Sequence, residues 1–356
     1  MSRTLVVSDL HLGARTGVDI LRQPQALTAL LDAAGQADRV VLLGDALEFR
    51  HGPLRDALAL AEPVLRPLGE AVGAAGEVVI VPGNHDHRLL RSWLERRASD
   101  GRPPLGLEAA VDWRDGEPLA ILAGWLGPAS VRAAYPGVWL REDVYATHGH
   151  YGDRHNTVPI LERVGAGLMS RLVSEPEGGP RAAEDYELTL GPLYAWIDNI
   201  AEWGGIRGRG GGGLQVRAWR ALQQPGGRTV RSLGVSAAFS GVVALLNRAR
   251  LGPLEADVSG PELRRGGLRG FEAVLERLGV SARHVIFGHT HRAGPLPGDV
   301  TSEWETSSGI SMLNTGSWVH DPGWVGERPS GPYRPGFCAV LDDGEPPRLV
   351  NLLDSA

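Results

Sequence analysis

Lysine is missing from this chain of 356 residues, and all 36 basic side chains are Arg. Together with 49 Gly and 25 Pro, that bias reads as genomic base composition, so a lone Arg carries little functional weight. Cysteine is almost missing as well. Cys338 alone excludes an internal disulfide and fits a reducing, cytoplasmic compartment. It lies in Gly336-Phe337-Cys338-Ala339-Val340-Leu341, which reads as a strand with a buried thiol. No apolar run reaches the ~20 residues of a membrane span. A first strand starting near residue 4 leaves no room for a signal peptide. Acidic residues are absent from Trp203 to Leu254, where eight Arg (207, 209, 217, 220, 228, 231, 248 and 250) contribute +8. The rest of the chain then carries −14, for a net −6.

What is present is the composition of an ordinary soluble globular protein, 42% hydrophobic and 22% charged, long enough for two or three domains. Residues 1 to 149 alternate strand-like and helix-like segments, which argues for a layered α/β core. Val18 to Ala34 reads as a first helix, and Leu54 to Ala75 as a second that Pro63 or Pro67 would break. Residues 283 to 356 return to strands at His284-Phe287, Met312-Asn314, Phe337-Leu341 and Leu349-Leu352. The predicted division is a core of 1–150 and 283–356, with 151–282 as a mainly helical insertion that covers the site. In the insertion, Thr189 to Trp203 and Phe271 to Leu278 have helical patterning, and Trp196 and Trp203 share a helical face suited to a core. The uncharged stretch Ser232 to Asn247, flanked by Arg, reads as a buried helix. A sharper alternative is a lid for an anionic, partly apolar ligand, or a peripheral contact with an anionic membrane at its inner face.

Five polar motifs follow in fixed order, most of them directly after an aliphatic run: Asp9-Leu10-His11, Gly44-Asp45, Gly83-Asn84-His85-Asp86, His148, and Gly288-His289-Thr290-His291. Strand ends are where open α/β sheets build sites. Asp9 and His11, two apart on an extended segment, share a face and can meet one ion, and His289 and His291 repeat the spacing. Asn84 adds a neutral amide oxygen and His148 another imidazole. A pair of cations needs a bridging carboxylate, and Asp45 after Gly44 is the candidate. Imidazole mixed with hard oxygen, without thiolate, suits two divalent ions such as Mn²⁺, with Fe or Zn²⁺ as alternatives. His85, next to ligand Asn84, reads as an acid for the leaving oxygen or a cation for a phosphoryl oxygen, with Asp86 orienting its ring. The nucleophile would be a metal-bound hydroxide. His150, Arg50 and Glu48 are candidate substrate-binding residues, and His87 and His51 are near the site by sequence proximity.

In these motifs the chain resembles the calcineurin-like metallophosphoesterases, over about 1–149 and 283–320. The resemblance implies a four-layer α/β architecture, a β-sandwich of two sheets flanked by helices. It implies one metal on Asp9, His11, Asp45 and His291, and a second on Asp45, Asn84, His148 and His289. Asn314-Thr315-Gly316-Ser317 is similar to a structural strand that follows the last ligands. Gly44-Asp45-Ala46-Leu47-Glu48-Phe49 and Gly288-His289-Thr290-His291-Arg292 also resemble the UDP-2,3-diacylglucosamine pyrophosphatases, although His85 stands where those carry Arg. The expected activity is hydrolysis of a phosphodiester or pyrophosphate bond, on a small phosphorylated substrate such as a nucleotide-sugar or lipid-linked compound. A nuclease is the alternative, favoured by the Arg-rich segment and disfavoured by the net −6. A non-catalytic scaffold ranks below both, since it would not need the complete ligand set.

Overall fold

Runs of branched aliphatic residues favour extended backbone and, buried on both faces, need no alternation. The computed structural model, which describes residues 2–156, 176–202, 248, 260–322 and 331–354, builds its sheets from such runs. The chain divides into two compact units. One comprises Met1–His150, Tyr194–Gly205 and Ser281–Ala356; the other comprises Tyr151–Leu193 and Ile206–Val280.

In the first unit β1 (Arg3–Val7), β2 (Arg39–Leu43) and β3 (Glu77–Val81) run parallel. After β4 (Glu108–Val111) comes the long β5 (Ser130–Arg141), then β6 (Val144–Thr147), β7 (His284–Phe287) and β8 (Ser311–Asn314). β9 (Phe337–Asp342) pairs antiparallel with β1, and β10 (Arg348–Asn351) lies outside it. The strand order is β10-β9-β1-β2-β3-β5-β6-β7-β8. β5 belongs to two sheets. Its residues Ser130 to Ala133 pair with β3, and Gly137 to Arg141 pair with β6. Inward side chains from both sheets meet in one buried cluster that includes Val6, Val41, Val79, Val138, Ile286 and Leu313. The mixed sheets, with their flanking helices, have the α/β architecture that the resemblance implies.

α1 (Pro24–Ala34) packs on α2 (Leu54–Val72), which packs on β3 and on α4 (Pro118–Leu126); α3 (Arg91–Ser99) follows β3. α1 starts later than the pattern predicts, because a separate short turn, Ile20–Arg22, precedes Pro24 at the first helical position. α2 runs through both of its prolines. Ala57, Leu58, Ala61, Val64, Leu65, Leu68 and Val72 form its buried face, and Pro63 lies on the exposed side, where water can satisfy the carbonyl left without a partner.

In the second unit, Tyr151 and Tyr186 stack at 4.7 Å and the Tyr151 hydroxyl donates to Glu187 Oε1 at 2.7 Å. Arg277 donates to the carbonyls of Gly178 and Pro180 at 2.9 and 3.0 Å. Two helices carry the predicted helical segments of the insertion: α5 (Ala183–Glu202) and α6 (Gly260–Arg277). Trp196 is 63% exposed on α5 and is not a core residue; Trp203, like all of 203–254 except 248, lies outside the described residues. The readings placed on the Arg-rich stretch and on Ser232 to Asn247 lie there too. Among the described residues no helix is long and apolar enough to cross a membrane.

Candidate metal centre

The loops after β1 and β2 are tied together by their backbones. Asp9 N–H donates to the Gly44 carbonyl at 3.0 Å, and His11 N–H to that of Asp45 at 2.8 Å. This pairing brings two motifs onto one edge. Among the described residues, five that are not glycine have positive φ: Asp9 (53°), His11 (45°), Asp45 (50°), His289 (67°) and His291 (57°). L-residues pay about 1 kcal/mol or more for that conformation, and it tends to persist at functional sites. All five are metal-ligand candidates. The flanking glycines serve close approach. A Cβ on Gly44 would overlap the His148 ring, and one on Gly288 would overlap the Asp9 carboxylate and the Ser8 hydroxyl.

Three clusters of possible donors result. Asp9, His11 and His291 form one and Asp45, His148 and His289 another; in the third, His11, Glu48 and His85, the carboxylate is already hydrogen-bonded to both rings, which leaves the first two as the donor groups. Asp45 Oδ2 lies 3.2 Å from His148 Nε2 and 3.9 Å from His11 Nε2, so this one oxygen stands between the groups. His148 Nδ1 donates to the Leu43 carbonyl at 3.0 Å, which turns Nε2 toward Asp45. Asp9 is fully buried. Its Oδ2 accepts from Ser8 Oγ at 2.5 Å and from His289 N–H at 2.9 Å, but its Oδ1 has no hydrogen-bond partner. That orphan oxygen faces His291 Nε2 at 3.3 Å and His11 Nε2 at 3.8 Å, and the two imidazole nitrogens are themselves 3.0 Å apart. Asn84 places one side-chain atom 3.2 Å from Asp45 Oδ2, His148 Nε2 and His289 Nδ1, and the other toward Arg50 Nη2 at 3.1 Å. Without a cation the amide nitrogen belongs among those acceptors; with one, the oxygen does. Imidazole nitrogens beside the unsatisfied, buried Asp9 Oδ1 in one group, and carboxylate, imidazole and amide converging in the other, fit divalent cations.

The charges agree with this reading. Burial opposes the ionised form of Asp9, yet His148, His11 and His291 hold its carboxyl well below the usual range. Asp45 is likewise held low, by His148 and His85 against burial, and Glu48 by His85 and His11. Burial opposes the charged His148 ring, but Asp45 and Asp9 raise it to about 9.

Around these donors, the structure redistributes the roles read from sequence. Asp86 does not touch the His85 ring. Buried, and raised to about 7 by burial and by Asp45, it accepts from the backbone N–H of Gly83 at 2.6 Å and of Asp45 and Leu47 at 3.3 Å. It shapes the loops instead. The partner of His85 is Glu48, whose Oε2 accepts from His85 Nδ1 at 2.8 Å and from His11 Nδ1 at 3.0 Å, while Oε1 accepts from Arg50 N–H at 2.9 Å. Glu48 is therefore buried and engaged by both rings and by the Arg50 backbone. His150 is also buried, with Nε2 3.1 Å from the Tyr135 hydroxyl, and burial followed by the nearby His148 lowers its pKa. Arg50 places Nη1 3.2 Å from His85 Nε2. His51 Nε2 is 3.9 Å from Glu48 Oε2, and His87 packs on Tyr194 at 5.1 Å. Sequence reading missed Ser8, which links Asp9 to Thr315 Oγ1 at 2.7 Å, and Tyr194. Asn314 donates to the Gly288 carbonyl at 2.7 Å and to Thr290 Oγ1 at 3.0 Å, bracing the loop that carries His289 and His291.

Candidate metal donors gather at the strand ends of a mixed α/β fold, the setting that the comparison with known families makes that of a metal-dependent phosphoric ester hydrolase. The sequence family described as calcineurin-like phosphoesterase matches residues 2–212. The chain belongs to that family. No curated protein matches it. Among solved structures it is similar to a dimetal phosphatase from Danio rerio, at 15% identity and a TM-score of 0.34, over 95% of this chain and 91% of that one.

Proposed function

We propose that the protein hydrolyses a phosphodiester or pyrophosphate bond with two divalent cations, Mn²⁺ foremost, held by Asp9, His11, Asp45 and His291 and by Asp45, Asn84, His148 and His289. The position of Asp45 Oδ2 between the two donor groups is the observation that carries the reading. When bound, such a pair supplies an activated water near neutral pH and charge for the phosphoryl oxygens. The chain's own residues supply the rest. Glu48 fixes His85 by Nδ1, so Nε2 is the atom that meets the leaving oxygen. Burial and then Arg50 lower the pKa of His85, which keeps Nε2 unprotonated before substrate arrives. An incoming phosphate is an anion beside the ring and favours the imidazolium, so Nε2 takes up a proton from solvent as substrate binds and can pass it to the leaving oxygen. Ser8, Asp86 and Asn314 hold the loops that carry the ligands. A small substrate in a reducing compartment, a nucleotide-sugar or lipid-linked diphosphate, is the class this reading favours.

The test is turnover by Mn²⁺-loaded protein of an aryl phosphodiester, its monoester, a plain UDP-sugar and an acylated UDP-sugar. Turnover of the diester or of a UDP-sugar, with the monoester poor, is expected. Preference for the monoester would overturn the choice of bond.

A further inference from the structure

Tyr194, Asp198 and Glu202 recur at every fourth residue of α5 and so stand in one row along the helix. All three belong to the core unit. The row faces cations. Arg50 Cζ lies 5.5 Å from the centre of the Tyr194 ring. Asp198 Oδ2 is 3.9 Å from Arg91 Nη2, and the carboxylate also feels His87, Arg50 and Arg88. Glu202 Oε2 accepts from Arg88 Nη1 at 2.5 Å. Tyr194 and Asp198 are buried, and Asp198 Oδ1 has no hydrogen-bond partner. Arg50, Arg88 and Arg91 thus gather along this row, and Arg50 reaches the His85 ring at the edge of the metal centre. A planar guanidinium can rest one nitrogen on His85 and offer another to a phosphoryl oxygen. Cation binding at Asn84 would turn the amide nitrogen toward Arg50 Nη2 and direct that guanidinium to a new acceptor.

We propose that Arg50 is the catalytic residue that grips a phosphoryl oxygen beside His85, and that Tyr194 and Asp198 are positioning residues that aim it. This rests on the phosphoesterase reading above, and it assigns part of the active site to a helix read from sequence as belonging only to the insertion. The experiment measures kcat and KM of Mn²⁺-loaded full-length variants on an aryl phosphodiester, together with metal content and melting temperature. Arg50→Ala is expected to lose roughly a hundredfold in kcat/KM, with metal content and melting temperature kept, and added guanidinium ion at millimolar concentration should restore part of the loss. Arg50→Lys, which keeps charge but not the fork, serves if Arg50→Ala does not fold, and should lose at least tenfold. Asp198→Asn and Tyr194→Leu should each raise KM several-fold, and Tyr194→Phe, which keeps the ring, should recover most of what Tyr194→Leu loses. Wild-type kinetics in Arg50→Ala, or a loss that tracks metal content and resists guanidinium, overturns the proposal. A wild-type protein that turns over no diester contradicts the phosphoesterase reading itself, and the role of Arg50 falls with it.

Discussion

Glu48 Oε2 accepts from two imidazoles at once, and one of them belongs to a metal-ligand candidate. A carboxylate behind a ligating His fixes its tautomer and raises its basicity. Glu48→Gln keeps the shape and removes the charge, so Mn²⁺ affinity in titration calorimetry is expected to fall about 10- to 100-fold. Unchanged affinity would mean that Glu48 serves only the fold. His148 gives a second prediction at this scale. Its pKa is raised from 6.5 to about 9 in the metal-free protein. A raised folded-state value means stability that is full below about 6.5 and lost as pH rises through 9. The melting temperature of metal-free protein should therefore fall between pH 6.5 and 9, other groups held constant. Metal binding requires the neutral ring and so strengthens over the same window. The gap between metal-loaded and metal-free melting temperatures should widen with pH; a constant gap would count against His148 as a ligand. The residue types and spacing of the candidate donors, which the fold brings into clusters, were legible in sequence. The partner of His85 was not, because Glu48 and His85 are far apart in the chain and Asp86 was merely the nearest acid.

At the scale of elements, the strands that carry motifs were legible because each is a short aliphatic run with a polar motif after it. β5 escaped because Pro136-Gly137 in its middle reads as a turn. In the fold that dipeptide lies where the strand leaves β3 and joins β6, so the feature that hid the strand is the one that links the sheets. α2 misled in the opposite direction: its prolines signal a break, but the buried stripe at helical spacing outweighs them. Leu65, fully buried on that stripe, should cost about 2–5 kcal/mol when changed to Ala, measured by urea unfolding of metal-free protein. A loss under 1 kcal/mol would mean that α2 packs more loosely than its buried face indicates. The positive φ values were invisible in sequence, since Asp and His occupy backbone that glycine would ordinarily take. That strain is evident only once the loops are seen to be tied across β1 and β2.

For the whole molecule, Cys338 makes a simple check. Burial pushes its thiol up to about 12, so it should resist a thiol reagent in folded protein at pH 8 and react on unfolding. Rapid labelling of folded protein would contradict the packing of β9. The chain joins a core unit assembled from three separated segments to a second unit, and the metal-ligand candidates all lie in the first. Sequence order alone separates His148 from His289 by the entire insertion; parallel pairing of β6 with β7 brings them to 5.2 Å between ring centres. The most direct measurement is metal content and diester turnover of wild-type protein beside Asp45→Asn. Two Mn²⁺ per wild-type chain, with fewer ions and no turnover in a folded Asp45→Asn, is the expected result. Undiminished turnover in Asp45→Asn, or a single ion per active wild-type chain, would contradict a shared carboxylate at the heart of the site.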